Sequence, residues 1–149
     1  MFRGSSPAKI DDRGRLKMPN DVRRQLEEEH GDDDLEIFVT SVEGASALVY
    51  PMPVWRRIER KLADVPSSNR AKKKYLERVN YYGQQLRLDA QGRVVIPQIL
   101  RESAQIVGDV VVSGRLDHLE VWNRERFDQR LAAEPFTDDD FSSLAEHGI

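Results

Sequence analysis

The chain contains no cysteine among its 149 residues, which excludes disulfides, thiolate nucleophiles and Cys-ligated zinc. It also lacks an apolar run near the ~20 residues that a membrane-spanning helix requires. The opening Met1-Phe2-Arg3-Gly4 does not resemble the start of a signal peptide. We therefore expect a cytoplasmic protein with no membrane partner.

Sequence signatures of catalysis are also missing. No Walker-type loop, dinucleotide fingerprint or Gly-x-Ser-x-Gly elbow is present. The three histidines, His30, His118 and His147, lack the spacing of metal ligands. We predict no enzymatic activity, cofactor, metal or small-molecule substrate. One enzymatic alternative remains, in which Asp11 and Asp89 form a carboxylate pair beside a histidine, although each has a closer arginine to neutralise it.

An internal duplication is the strongest feature that is present. The framework Asp-x-x-Gly-Arg-x-x-x-Pro occurs at 11–19 and again at 89–97, 78 positions later. Two matched copies at one offset indicate a repeated structural unit. The length and the 39% hydrophobic content suit one compact domain, so we expect two similar halves.

Each framework predicts a short β-hairpin followed by a helix. The strands are predicted at 8–11 and 16–18, and at 86–88 and 94–96. Gly14 and Gly92 supply the positive φ of a tight turn, while Asp11 and Asp89 are expected to bond turn amides and to pair with Arg15 and Arg93. The helix after the first framework proline has Asn20 as its candidate cap.

Further elements complete an α+β pattern. Strands are predicted at 36–40, 47–50, 110–113 and 119–122, and amphipathic helices contain Trp55 and Phe127. A third helix, predicted from Ser67 or Ser68 to near Gly83, carries a cationic stripe that is equally well explained as solvated surface. An acidic, frayed tail is expected from Glu134. The first repeat is predicted at 7–53, the connecting helices at 54–82 and the second repeat at 83–126. The end of the C-terminal helix and the acidic tail are predicted at 127–149.

Charge is segregated along the chain, although the net charge is only −3. Cationic residues dominate segments 1–24 and 51–101, whereas acidic residues dominate 25–50 and 102–149. Both frameworks fall in the positive segments. Because salt screens charges beyond about 10 Å, a partner feels this local field more than the net charge.

The positive hairpins are typical of a DNA-binding surface. Arginine contacts guanine O6 and N7 bidentately, and a two-stranded ribbon fits the major groove. The hairpin cations are Arg13, Arg15, Lys17, Arg87 and Arg93. Taken as one isolated motif, each turn is explained as well by hairpin structure alone.

The chain resembles the MraZ family of bacterial transcriptional regulators, a tandem version of the AbrB-like fold. The resemblance rests on the two Asp-x-x-x-Arg motifs, Met-Phe-Arg-Gly at the start, Leu-Val-Tyr-Pro at 48–51 and Tyr-Tyr-Gly at 81–83. It implies two pseudo-repeated swapped-hairpin β units with short helices, assembled into a ring-like homo-oligomer. It also implies a nucleoid-associated autoregulatory repressor that binds repeated double-stranded DNA boxes upstream of the division and cell-wall gene cluster.

The resemblance also implies roles for individual residues. Arg15 and Arg93 would contact DNA, Asp11 and Asp89 would orient them, and Arg3, Arg13 and Lys17 would add phosphate contacts.

The second motif departs from the first. Ala90, Gln91 and Val95 replace Asp12, Arg13 and Lys17, which predicts that the two halves contribute unequally. The alternative function is an AbrB-like protein-interaction or antitoxin module, with the acidic residues at 138–140 as its support.

Overall fold

The computed structural model describes residues 1–31 and 35–149. The acidic run at 32–34, part of the predicted acidic segment, lies outside the described residues. The described chain is α+β, as predicted. Its elements in order are β1 (Ser5–Ile10), β2 (Arg15–Lys17), α1 (Asn20–His30), β3 (Glu36–Thr40), β4 (Ala47–Pro51), α2 (Met52–Asp64), α3 (Arg70–Tyr81), β5 (Gln84–Arg87), β6 (Arg93–Val95), α4 (Gln98–Ala104), β7 (Gly108–Gly114), β8 (Leu119–Asn123), α5 (Arg124–Ala133) and α6 (Asp138–Ala145).

The strands form one antiparallel sheet in the order β5-β3-β4-β8-β7-β1-β2-β6. Strand β1 of the first half pairs with β7 of the second, from Ser5 opposite Ser113 to Ile10 opposite Gly108. In return, β5 of the second half pairs with β3 of the first. The two second strands, β2 and β6, pair with each other. This exchange of strands confirms the swapped-hairpin fold.

The main hydrophobic core lies on one face of this nearly closed sheet, and a second buried cluster joins Tyr50 of β4 to residues of α2 and α3 such as Trp55 and Val79. Alternation is clear in β3, where Ile37 and Val39 are buried and Glu36 and Phe38 are only partly buried. Leu16 of β2 and Val94 of β6 lie directly opposite each other and are both buried. The hairpins are therefore anchored in the core by the residues between their exposed cations.

The predicted starts of two helices are corrected. Helix α1 begins at Asn20 itself, and its N-cap is Pro19, whose carbonyl accepts the Arg23 N–H at 2.9 Å. A proline can stand there because its fixed φ suits the entry to a helix. Helix α3 starts later than Ser67 or Ser68, because the Asn69 side chain caps it by accepting the Lys72 N–H.

The C-terminal segment is helical and not frayed. Thr137 and Asp140 form a capping box at the start of α6, a Thr-x-x-Asp pattern that satisfies two free N–H groups at once. The hydrogen bond from the Thr137 N–H lowers the pKa of the Asp140 carboxyl. Within the described ranges, no helix is long and apolar enough to cross a membrane.

Candidate nucleic-acid interface

The two framework turns have the same backbone geometry. In the first, the Asp11 N–H donates to Arg15 O and the Gly14 N–H to Asp11 O, both at 3.0 Å. The equivalent bonds of the second turn, from Asp89 and Gly92, are both 2.9 Å. Gly14 and Gly92 have φ values of 78° and 75°, in the region that favours glycine. The repeated sequence thus produces a repeated turn.

In each turn the aspartate holds its arginine in a fixed direction. Asp11 Oδ1 accepts the backbone N–H groups of Arg13 and Arg15 at 2.9 Å, and Oδ2 accepts Arg15 Nε at 2.7 Å. Asp89 accepts the N–H groups of Gln91 and Arg93 in the same way, with Arg93 Nε at 3.0 Å. Only Nε of each guanidinium donates to the aspartate, so the terminal nitrogens keep donor capacity for a ligand. Arg93 Nη2 also donates to the Gln91 side chain at 3.4 Å.

These bonds favour the ionised form of both aspartates. The backbone N–H of Arg15 contributes most to lowering the pKa of the Asp11 carboxyl, and the backbone N–H of Arg93 does the same for Asp89. Amides that donate to a carboxylate favour its charged form. Each arginine is therefore oriented by a full negative charge.

Pairing of β2 with β6 brings the cations of both halves onto one surface. Arg15 lies opposite Val95, and Lys17 lies opposite Arg93. Since Leu16 and Val94 face the core, these four side chains share the outward face. We call Arg15, Lys17, Arg93 and Val95 the ribbon face. It spans about 7 Å along each strand, and Val95 is 48% exposed within it.

The register changes how charge is shared between the turns. Counting within each repeat assigns Lys17 to the first half, but the structure places it across from Arg93. At one end of the ribbon face, Arg15 lies next to the first turn, which contains Arg13. At the other end, Arg93 lies opposite Lys17. Each end therefore has two cations, so the difference in charge between the motifs no longer favours one end of the ribbon face. The contribution of each residue to DNA binding stays a prediction.

Two helix arginines that the sequence analysis missed pack against the turns. Arg23 of α1 donates to Ala90 O at 3.0 Å, in the turn of the other half. Arg101 of α4 donates to Ile96 O at 2.9 Å, and its guanidinium covers Gly14 so closely that a Cβ there would overlap it. Positions 23 and 101 differ by the same 78 residues as the frameworks, a signal that extending the repeat comparison would have found.

Reciprocal hydrogen bonds lock the turns together. The Met18 N–H donates to Gly92 O, and the Ile96 N–H donates to Gly14 O, each at 2.9 Å. Met18 is equivalent to Ile96, and Gly14 to Gly92, by the same 78-residue offset, so each bond is the counterpart of the other. The two halves are therefore related by a local pseudo-twofold axis. Each turn depends on the other half for part of its support.

The remaining predicted residues lie elsewhere. Arg3 precedes β1, at the end opposite the turn, and Ser5, where the strand begins, already lies about 20 Å from Asp11 along the strand. Arg87 lies on β5, where it forms an ion pair with Glu36 at 3.2 Å. The structure does not bring Arg3 to the ribbon face, and it gives Arg87 an acidic neighbour.

The carboxylate pair required by the enzymatic alternative is not formed. Asp11 and Asp89 lie beyond opposite ends of the antiparallel β2–β6 pair, and each is bonded to its own arginine. Across residues 1–31 and 35–149, no group of three or more acidic or histidine side chains is placed to hold a metal ion.

Replacement of Gly14 tests the packing of Arg101 on the turn. Gly14→Ala should destabilise the protein by about 2–3 kcal/mol, because it adds backbone strain at positive φ and displaces a hydrogen-bonded guanidinium. Gly4→Ala is the matched control, since Gly4 has nearly the same φ with open space around it, and it should cost about 1 kcal/mol. Urea unfolding measures both changes. Equal losses would show that Arg101 contributes nothing to the turn.

Comparison with known proteins agrees with this architecture. A family model described as "MraZ protein, putative antitoxin-like" matches residues 1–78 and 83–145. A protein of Acidobacterium capsulatum named "Transcriptional regulator MraZ" is 51% identical over 149 residues, covering all of both chains. Proteins of the same name from Koribacter versatilis and Deinococcus radiodurans are 46% identical over all of both chains and 35% identical over 87% of both chains. The chain therefore belongs to the MraZ family of transcriptional regulators.

Proposed function

We propose that this protein regulates transcription by binding double-stranded DNA sequence-specifically through its ribbon face. The observation that carries the proposal is the pair of half-buried arginines, each held through Nε by an ionised aspartate. An arginine fixed in this way presents its terminal nitrogens without the entropy cost of ordering a free side chain. Bidentate contact with guanine O6 and N7 is the commonest specific contact of arginine in DNA.

The ribbon face also suits the groove in shape and chemistry. The major groove is about 12 Å wide and admits a two-stranded ribbon. Lys17, which lies opposite Arg93, would neutralise a phosphate, and Val95 would offer an apolar contact for a thymine methyl group. The two turns at the ends of the ribbon would then fix its register on the duplex.

We further propose that copies of the chain assemble into a ring that binds repeated promoter boxes. One ribbon face is a small contact, so several copies on one assembly would add affinity through effective concentration. By resemblance to the family, the targets are the division and cell-wall gene cluster on the nucleoid, including the protein's own gene, and the effect is repression. The name shared by the relatives supports the regulatory part of this proposal.

A titration with the DNA upstream of the protein's own gene tests the proposal. We expect tighter binding to this fragment than to a scrambled fragment of equal length and composition, at a fixed, stated salt concentration. The preference should be ten-fold or more, because one correctly read base pair contributes about 1–3 kcal/mol. Fluorescence anisotropy with labelled fragments gives both affinities. Equal affinity for the two fragments would contradict sequence-specific regulation.

A further inference from the structure

Helices α2 and α3 form an arm that is anchored in the protein only at its base. Trp55 near the start of α2 and Val79 near the end of α3 belong to one buried cluster with Tyr50 of β4. Between these two anchors, from position 56 to position 78, no residue is buried. Only residues 65–69 join the two helices, so the end of α2 and the start of α3 lie close together. The tip of the arm is therefore left to solvent.

The tip of the arm is strongly basic. We call residues 57–74 the basic arm; it carries seven cationic and two acidic residues, a net charge of +5 in a chain whose net charge is −3. The cations are Arg57, Arg60, Lys61, Arg70, Lys72, Lys73 and Lys74. All of them except Lys72 are exposed. Positive charge is thus concentrated on a segment that contributes little to the core, where it attracts a polyanion despite the acidic remainder of the chain.

The cations of the basic arm have no acidic partner in their own chain. Among the residues that the structure describes, none of the seven forms an ion pair, and Lys72 donates to a backbone carbonyl of the turn. Arg57 and Lys61 stand four positions apart on α2, and Arg70 and Lys74 do so on α3. Like charges at this spacing destabilise a helix. The arm thus carries a repulsion that a ligand with negative charge would relieve.

The chemistry of the basic arm fits duplex DNA better than a membrane or an acidic protein. None of the exposed large apolar side chains of the described chain lies on the arm, so it lacks the residues with which a helix enters a bilayer surface. Its cations are spread along two helices, and those at i and i+4 are about 6 Å apart along the axis. Such a row suits a polymer with regularly spaced negative charges, as the phosphates of DNA are.

We propose that the basic arm is a second DNA-binding surface, which holds the sugar-phosphate backbone without reading its sequence. On the ribbon face, an aspartate fixes each of Arg15 and Arg93, which suits the reading of a base. The cations of the arm are not restrained by carboxylates, so they can follow a phosphate but cannot distinguish one base from another. The choice of DNA as the ligand rests on the proposed function, which assigns DNA to the ribbon face.

Neutralisation of three arginines tests the arm, with anisotropy titrations of the scrambled fragment as the measurement. The full chain with Arg57→Gln, Arg60→Gln and Arg70→Gln should bind this fragment about ten-fold or more weakly at about 50 mM salt. The slope of log affinity against log salt should become shallower by about 2.7 for each copy in contact, since each lost phosphate contact removes about 0.9. Glutamine preserves the helices, which circular dichroism verifies. An unchanged affinity and slope would overturn the proposal.

Three arginines of α5 provide the matched control. Arg124→Gln, Arg126→Gln and Arg130→Gln together make the same change in net charge, on a helix where Arg130 already pairs with Glu134. This variant should keep the wild-type slope. Equal losses in the two triple variants would show that only the total charge matters, and would overturn the arm as a site. Tighter arm-dependent binding to an RNA duplex, or to vesicles of anionic phospholipid, than to the scrambled fragment would overturn DNA as its ligand.

Substitutions on the two surfaces separate the arm from the ribbon face. Arg15→Ala with Arg93→Ala should abolish the preference for the upstream fragment but leave binding to both fragments that the arm substitutions weaken. The arm variant should keep the preference of the wild type, because the arm reads no base. A wild type without preference, whose binding still depends on the arm, would overturn sequence-specific regulation and support the arm. Failure of the Arg15 and Arg93 double variant to bind either fragment at about 50 mM salt would overturn the arm as an independent contact.

Discussion

Arg15→Ala and Arg93→Ala are each expected to lower the affinity for the upstream fragment by about ten-fold or more. Each change removes a guanidinium that is aimed by an ionised aspartate, and a bidentate contact with a base contributes about 1–3 kcal/mol per site. In an assembly with several ribbon faces the losses combine, so the observed effect should exceed that of one site. The measurement is the anisotropy titration against the upstream and scrambled fragments.

The two losses should be similar, because each end of the ribbon face has two cations. Lys17 stands across from Arg93, where it compensates for the replacement of Arg13 by Gln91 in the second turn. Arg124→Ala is the matched control: it removes an exposed arginine on α5, away from the ribbon face, and should leave the affinity unchanged. Wild-type affinity in Arg93→Ala, with a large loss in Arg15→Ala, would show that the halves are unequal after all.

The second large effect concerns salt. If an assembly neutralises about six to ten phosphates, its affinity should fall roughly 10³- to 10⁵-fold between 50 and 200 mM salt. The slope of log affinity against log salt counts the phosphate contacts, at about −0.9 for each one. Titrations at four or more salt concentrations give this slope.

Substitutions on the ribbon face make the salt experiment specific. Lys17→Gln should make the slope shallower and weaken binding to the upstream and scrambled fragments equally, because a phosphate contact carries no sequence information. Val95→Ala should leave the slope unchanged and reduce only the preference for the upstream fragment. A slope near zero in the wild type would contradict binding of DNA by this face.

Local features of the structure were predictable from the chain because they depend on neighbouring residues. An aspartate four positions before an arginine, with glycine between them, was sufficient to predict the turn, and the alternating apolar residues placed the strands. The errors were also local: Asn20 was assigned the cap that Pro19 provides, and Asn69 was overlooked beside two serines. At α3, serine and asparagine have similar capping free energies, so residue type alone does not choose among Ser67, Ser68 and Asn69. At α1, Pro19 makes no side-chain cap, so the capping preference of Asn20 was misleading.

The helical C-terminal segment shows how composition can mislead. Three consecutive aspartates indicate a solvated tail if only their charge is considered. At the start of a helix the same residues are favourable. The Asp140 carboxylate accepts a hydrogen bond from the Thr137 N–H, and all three carboxylates lie near the positive end of the helix dipole.

The sequence by itself determined the duplication, the two turns and the orientation of each arginine, because these depend on contacts within about five residues. Only the tertiary structure decided that β1 and β5 exchange halves, that Lys17 stands beside Arg93, and that Arg23 and Arg101 each support the turn of the other half. Those partners are separated by tens of residues or more along the chain. Their pairing is selected by burial of the shared core face of the sheet, which no local pattern encodes.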